Sequence, residues 1–199
     1  VIGAGVVGRN AAAIALGMRA DVTVLSRGAA GLRRVDDLFG GRCRTVAANT
    51  HELERAVRGA DLVIGAALVP GARAPKLVSS ETVAAMRPGS VLVDVSIDQG
   101  GCFEDSRPTT HSDPTYRVHG SLFYCVANMP GAVPYTSTFA LANVSVPYAV
   151  ALADQGWREA MRRDPALAAG LNVAGGDVVG EAVAQAHGMR VRHVTDVLG

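Results

Sequence analysis

The sequence predicts an α/β fold built on a doubly wound parallel sheet, and three observations predict it. The chain opens with a glycine-rich turn, Val1-Ile2-Gly3-Ala4-Gly5-Val6-Val7-Gly8. From there to Pro130, short apolar β-branched runs alternate with stretches of helix formers, the pattern of strands joined by helical crossovers. The 199 residues are 49% hydrophobic and 19% charged with 23 glycines, enough apolar material for a sizeable core.

The opening turn reads G-x-G-x-x-G, the fingerprint of a Rossmann-type dinucleotide site. Gly3 serves the tight strand-to-helix turn, Gly5 the approach of a pyrophosphate, and Gly8 close helix–strand packing. Residues 9–18 are good helix formers without proline, and the free N–H groups at that helix start suit a diphosphate. Ala4, Val6 and Val7 complete the predicted loop. Only Val1 and Ile2 precede it, and there is no initiator Met, so the chain is expected to lack its own beginning.

Residues 21–25 form the next predicted strand. An acidic residue about 20 positions past the glycine loop binds the adenosine ribose in NAD sites. Here Ser26-Arg27 stands in its place, with Arg33 and Arg34 nearby. A hydroxyl and a guanidinium suit a 2′-phosphate, so NADP(H) is expected to be tolerated or preferred. The alternative is that Arg27 is a solvated loop charge.

Asn49-Thr50 caps a predicted helix over residues 52–58. Residues 61–66 read as a strand, followed by the loop Ala67-Leu68-Val69-Pro70-Gly71 at the ligand-binding edge of the sheet. Residues 79–86 read as a capped helix stopped by Pro88-Gly89. Residues 90–97 read as one long buried strand, with Asp94 structural inside it. Beyond it, Asp98 opens the glycine-rich loop Asp98-Gln99-Gly100-Gly101-Cys102-Phe103-Glu104. A carboxylate there serves either as an orienting group beside a nicotinamide or as a turn cap. Arg107 reads as a phosphate or ribose contact or as a surface ion-pair partner. Residues 122–127 are the last predicted strand, ending at Asn128-Met129-Pro130-Gly131.

The domain boundary is placed at residues 130–134, giving a dinucleotide-binding domain over 1–134 and a C-terminal part over 135–199. That part reads as mostly helical, with no sheet of its own. It is expected to pack on a missing N-terminal portion as part of an incomplete second domain.

The net charge of +1 offers nothing to nucleic acid or to a membrane surface. No apolar run reads as long enough to cross a membrane, because Gly, Pro and charges interrupt each one. The three cysteines, Cys43, Cys102 and Cys125, lack C-x-x-C spacing and read as reduced cytoplasmic thiols. His51, His111, His119, His187 and His193 show no metal-ligand spacing, so no metal is expected.

Taken together, several runs resemble alanine dehydrogenase. They are Gly3-Ala4-Gly5-Val6-Val7-Gly8, residues 60–65 with Leu68-Val69-Pro70-Gly71, Ala74-Pro75-Lys76-Leu77-Val78 and residues 86–94. Residues 97–104, Ser106-Arg107-Pro108-Thr109-Thr110, residues 123–130 and Ala153-Asp154-Gln155-Gly156-Trp157 continue the similarity. The transhydrogenase nucleotide-binding component shares part of the pattern and is the alternative. The resemblance implies reversible, NAD-dependent oxidative deamination of L-alanine to pyruvate and ammonia. It implies Asp98 as the catalytic aspartate, and Ala67, Leu68, Val95, Ser96, Ile97, Asp98, Arg107, Val126, Ala127, Asn128 and Met129 as the cofactor lining. It also implies a cytoplasmic homo-oligomer, typically a hexamer. Two departures stand out. Ser26 replaces the family's ribose-binding aspartate, and Gln155 replaces a histidine associated with a metal. The family's substrate-holding arginine and lysine and its catalytic histidine fall upstream of Val1, so this chain alone is expected to be inactive; it is also expected to be poorly stable, because its C-terminal helices expose apolar faces meant for the missing domain.

Overall fold

A computed structural model describes residues 1–69 and 71–199. Pro70, in the loop expected after residue 66, lies outside the described residues. The chain divides into two compact units, Val1–Met129 and Pro130–Gly199.

The first unit contains α1 (Val6–Gly17), β1 (Thr23–Ser26), α2 (Ala29–Phe39), β2 (Arg44–Ala47) and α3 (Thr50–Arg58). It continues with β3 (Leu62–Gly65), α4 (Ser80–Ala84), β4 (Val91–Asp94), β5 (Thr115–Val118) and β6 (Ser121–Tyr124). β1 pairs with β2, and the other four strands form the order β3-β4-β6-β5. Ile2 joins the two groups through parallel bridges to Leu25 and Gly65. The pairs β1–β2, β3–β4 and β4–β6 are parallel, with Gly65 opposite Asp94 and Val93 opposite Tyr124. β5 returns antiparallel to β6.

Side chains alternate across this sheet, and two cores result. Val22 and Val24 pack with Ala12 of α1 and with Val35 and Phe39 of α2. Leu25 turns the other way, into a cluster with Leu53 and Val57 of α3, Val83 of α4, Leu92 and Phe123. The sheet is therefore covered on both faces, as a doubly wound α/β fold requires. Local chemistry sets the helix starts. Asn49 Oδ1 accepts from Glu52 N at 2.9 Å, and Ser79 Oγ accepts from Thr82 N at 3.2 Å.

Three expectations need correction here. The strand expected over residues 90–97 ends at Asp94, and Ile97–Gln99 form a 3-10 turn. Asp94 Oδ1 takes the Ser96 N–H at 3.0 Å and bends the chain, while Ile97 stays buried and prolongs the apolar pattern. A strand, β5, lies between residues 104 and 121, where none was expected. The sheet is thus parallel in the main and antiparallel at one edge. α2 and β2 were not foreseen.

The second unit holds α5 (Pro134–Gln155), α6 (Trp157–Arg163), α7 (Pro165–Ala168), β7 (Val173–Ala174), β8 (Asp177–Val178), α8 (Glu181–His187) and α9 (Val194–Leu198). It does have a sheet of its own, the antiparallel pair β7–β8. Gly175 and Gly176 make this hairpin possible, with φ of 59° and 89°. The helical run that starts at Pro134 breaks at Gly156, where φ is 75°.

α5 overturns a further expectation. It spans 22 residues with a mean hydropathy of 1.3 over its most apolar window, long and apolar enough to cross a membrane by length and composition. No part of that window is buried. Neither glycine nor charge occurs from Pro134 to Ala153, and Pro147 lies inside the helix without ending it.

Candidate functional site

Because β1, Ile2, β3, β4 and β6 run parallel, their carboxyl ends share one edge of the sheet. Ligands bind outside that edge in open α/β folds. The sequence-predicted residues stand on the five stretches that leave it.

The glycine loop divides its labour. A Cβ on Gly3 would lie 2.5 Å from the Ala66 carbonyl oxygen, and φ there is +115°. A Cβ on Gly8 would lie 1.8 Å from the Gly3 oxygen. These two glycines allow the loop to fold against the sheet and the helix. At Gly5 a Cβ would meet nothing within 4 Å, so the backbone is open on that side. Gly5 is also the N-cap of α1, with no side chain closing the helix end. Uncapped N–H groups and the positive end of a 12-residue helix face this open ground. Such a cradle fits a dinucleotide pyrophosphate. Val6 and Val7 are exposed beside it, whereas Ala4 and Gly8 are buried and act by packing.

Ser26 ends β1 half-buried, and Arg27 follows it exposed. Among the described residues no carboxylate pairs with Arg27, Arg33 or Arg34. After β3, Ala67 is half-buried and Leu68 exposed. After β4, Val95 is half-buried, Ser96 and Ile97 are buried, and Asp98 is exposed. Ser96 donates its hydroxyl to the Ala67 oxygen at 2.7 Å and so ties the β3 loop to the β4 loop. Ala74 N donates to the Gln99 oxygen at 2.8 Å, and Leu77 N donates to the Cys102 oxygen at 2.7 Å. After β6, Val126 is buried, Ala127 and Asn128 are exposed, and Met129 is half-buried. Asn128 takes a φ of 55°, and its carbonyl oxygen lies 3.1 Å from His111 Nε2.

Arg107 is brought to this edge by two contacts. Thr109 bridges to Val126 in parallel, which places the segment beside the β6 loop. The Arg107 guanidinium sits 4.0 Å from the Tyr116 ring centroid, and Arg107 N donates to the Tyr116 hydroxyl at 2.9 Å. The Tyr116 hydroxyl in turn donates to the Asp105 oxygen at 2.9 Å. Burial pushes the Tyr116 phenol well above the usual range, so it remains a neutral donor.

Lys76 was not foreseen as part of the site. Its Nζ donates to the Gly100 oxygen at 2.7 Å and the Phe103 oxygen at 2.8 Å, so it staples the glycine-rich loop. A signal was available, because Lys76 is the sole lysine of the sequence. Tyr116 was missed because it lies on β5, a strand that was not expected, and its partners Asp105, Arg107 and Cys125 are nine or more residues away in sequence. Burial foremost, with Asp94 beside it, pushes the Cys102 thiol up, which makes it a poor nucleophile. Cys43 and Cys125 are also free, buried and pushed up, mainly by burial. Among the described residues no three of His, Cys, Asp or Glu cluster as metal ligands would.

A cavity of about 550 Å³ opens at the opposite, amino edge of the sheet, where Val1, Thr23 and Leu62 form part of its wall. It is remote from the residues above and takes no part in the site.

Residues 1–181 match the protein family described as alanine dehydrogenase/PNT, C-terminal domain. The chain belongs to that family. It is 62% identical over 185 residues to an alanine dehydrogenase of Mycolicibacterium smegmatis, a match covering 93% of this chain and 50% of that one. A solved L-alanine dehydrogenase matches with a TM-score of 0.80 at 48% identity, covering all of this chain and 52% of the other. The transhydrogenase of Sinorhizobium meliloti follows at a TM-score of 0.70 and 26% identity, over 91% of this chain and 48% of that one. The chain thus spans about half the length of the curated relatives it matches. Membership in the alanine dehydrogenase/PNT family accords with a Rossmann-type fold.

Proposed function

We propose that this chain is the nicotinamide-cofactor-binding part of an alanine dehydrogenase, serving the reversible deamination of L-alanine to pyruvate and ammonia. The observation that carries this reading is the open cradle at Gly5, set at one sheet edge with the exposed carboxylate of Asp98. When bound, the nicotinamide ring accepts or returns a hydride.

The chain's own residues supply placement. The N–H groups around Gly5, Val6 and Val7 receive the pyrophosphate. Ala67, Leu68 and residues 126–129 border the ring, with the buried Val126 acting through its backbone. Val95, Ser96 and Ile97 set the height of Asp98, whose carboxylate orients the reacting groups beside the ring as the catalytic residue of this part. Arg107, held over Tyr116, offers a cation to ribose or phosphate oxygens. Ser26 and Arg27 lack the carboxylate that would repel a 2′-phosphate, which supports tolerance of NADP(H) beside NAD. The remaining substrate-binding groups belong to the other half of the relatives' length. Residues 135–199 accordingly pack as part of a substrate domain, in a homo-oligomer.

Isothermal titration of the chain with NADH and NADPH tests the cofactor reading, and absence of both affinities refutes it. A complete enzyme containing this sequence reduces NAD(P) in the presence of alanine. The 199 residues alone turn over none.

A further inference from the structure

Asp94 is the last residue of β4 and is fully buried. A buried carboxylate is costly unless its oxygens are satisfied. Among the described residues no Lys, Arg or His pairs with it, and every partner is a donor. Ser96 N donates to Oδ1 at 3.0 Å. Cys102 N and Phe103 N donate to Oδ2 at 2.8 and 3.3 Å, and the Ser106 hydroxyl does so at 2.5 Å. The Cys102 thiol approaches Oδ1 at 3.6 Å.

These donors come from both stems of one loop. Ser96 lies on the outgoing stem, and Cys102, Phe103 and Ser106 lie on the returning one. Asp98 sits at the tip between them, two residues beyond Ser96, and Arg107 directly follows Ser106. The neck is also packed shut. A Cβ on Gly101 would stand 2.7 Å from Asp94 Oδ2 and 2.7 Å from Ser106 Cβ. A Cβ on Gly65 would stand 2.3 Å from Cys102 Sγ. A core aspartate held only for packing would not need donors from both ends of the same loop.

We infer that Asp94 is a positioning residue: its buried carboxylate ties the neck of the 95–106 loop and so fixes where Asp98 stands at the nicotinamide end of the site. The inference rests on the cofactor reading above. An amide cannot replace the carboxylate, because its NH2 must face another donor, either Ser96 N on one side or the group of three on the other. Asp94→Asn is nearly isosteric and alters the neck without emptying it.

The test compares NADH with ADP-ribose, which keeps the adenosine, the pyrophosphate and the second ribose and lacks only the nicotinamide ring, the group Asp98 faces. Both are titrated against the full chain, against Asp94→Asn and against Ser106→Ala. The expected result is about a tenfold loss of NADH affinity in Asp94→Asn with ADP-ribose affinity within about twofold of the parent. Ser106→Ala, which removes one donor, shows the same selectivity with a smaller loss. Equal losses for both ligands, or no loss for either, overturn the inference. Should Asp94→Asn fail to fold by circular dichroism, the ratio in Ser106→Ala decides alone, and an unchanged ratio overturns it. An unmodified chain that binds neither ligand overturns the cofactor reading and this inference with it, so the two failures are told apart.

Discussion

The two units of this chain use apolar surface in opposite ways. In Val1–Met129 the large hydrophobics gather into two clusters, one on each face of the sheet, and Phe103, Phe123 and Leu92 are fully buried. In Pro130–Gly199 the buried hydrophobics are Ala160, Val178 and Ala184, while Tyr135, Phe139, Leu141, Val144 and Tyr148 stand exposed along α5. The first unit builds two cores from its own sequence, although Ile14, Met18, Leu38 and Leu62 among others stand exposed. The second displays an apolar face along α5 that its own residues do not cover. Hydrophobic content alone therefore does not distinguish a core from an interface; the presence of a second layer does.

The sharpest way to break this contrast is to wedge open the first unit. In Gly8→Ala the new Cβ would lie 1.8 Å from the Gly3 oxygen and 2.9 Å from the Gly3 carbonyl carbon, backbone atoms that no rotamer change can move aside. The expected cost is about 4 kcal/mol or more, seen as loss of cooperative unfolding by denaturant titration. An unchanged midpoint would show that the loop is not packed as described.

Arg27→Ala acts at the rim and leaves both cores alone. It is expected to lower NADPH affinity about tenfold relative to NADH, the loss of one charge-assisted hydrogen bond. A constant ratio in competitive titrations would make Arg27 a solvated surface charge. The smallest effect on stability is expected in the second unit. Leu141→Glu replaces a side chain that is 68% exposed, so it should change unfolding by less than about 0.5 kcal/mol. It should also reduce binding of an apolar dye. A large stability loss would mean that Leu141 is covered after all, and the contrast between the units would soften.

The parts of the fold that are local in sequence were legible. Asn49 and Ser79 announce their helices by capping chemistry, and Gly3, Gly5 and Gly8 announce the turn by spacing. The parts that depend on distant partners were not. Nothing near Asp94 in the sequence reveals that Cys102, Phe103 and Ser106 return to it, so it read only as a structural residue in a strand. The same run of apolar residues carried the expected strand past its end, because Ile97 is buried in the turn as deeply as a strand residue would be. Thr115-Tyr116-Arg117-Val118 did carry an alternating signal, half-buried at Tyr116 and Val118, but flanking polar residues obscured it. α5 was misjudged because Pro147 was counted as an interruption, although a helix in progress has accommodated it.

The glycine loop has one more consequence. Gly3 and Gly8 are demanded by neighbouring protein atoms, and Gly5 is demanded by none. A methyl group at position 5 would meet no protein atom within 4 Å, so apart from the modest preference of a helix N-cap for Gly over Ala its cost is expected at the proposed pyrophosphate. On that reading the three glycines answer to two selectors, the folded chain for the outer pair and the bound molecule for the middle one. Gly5→Ala would separate the ability to fold from the ability to bind.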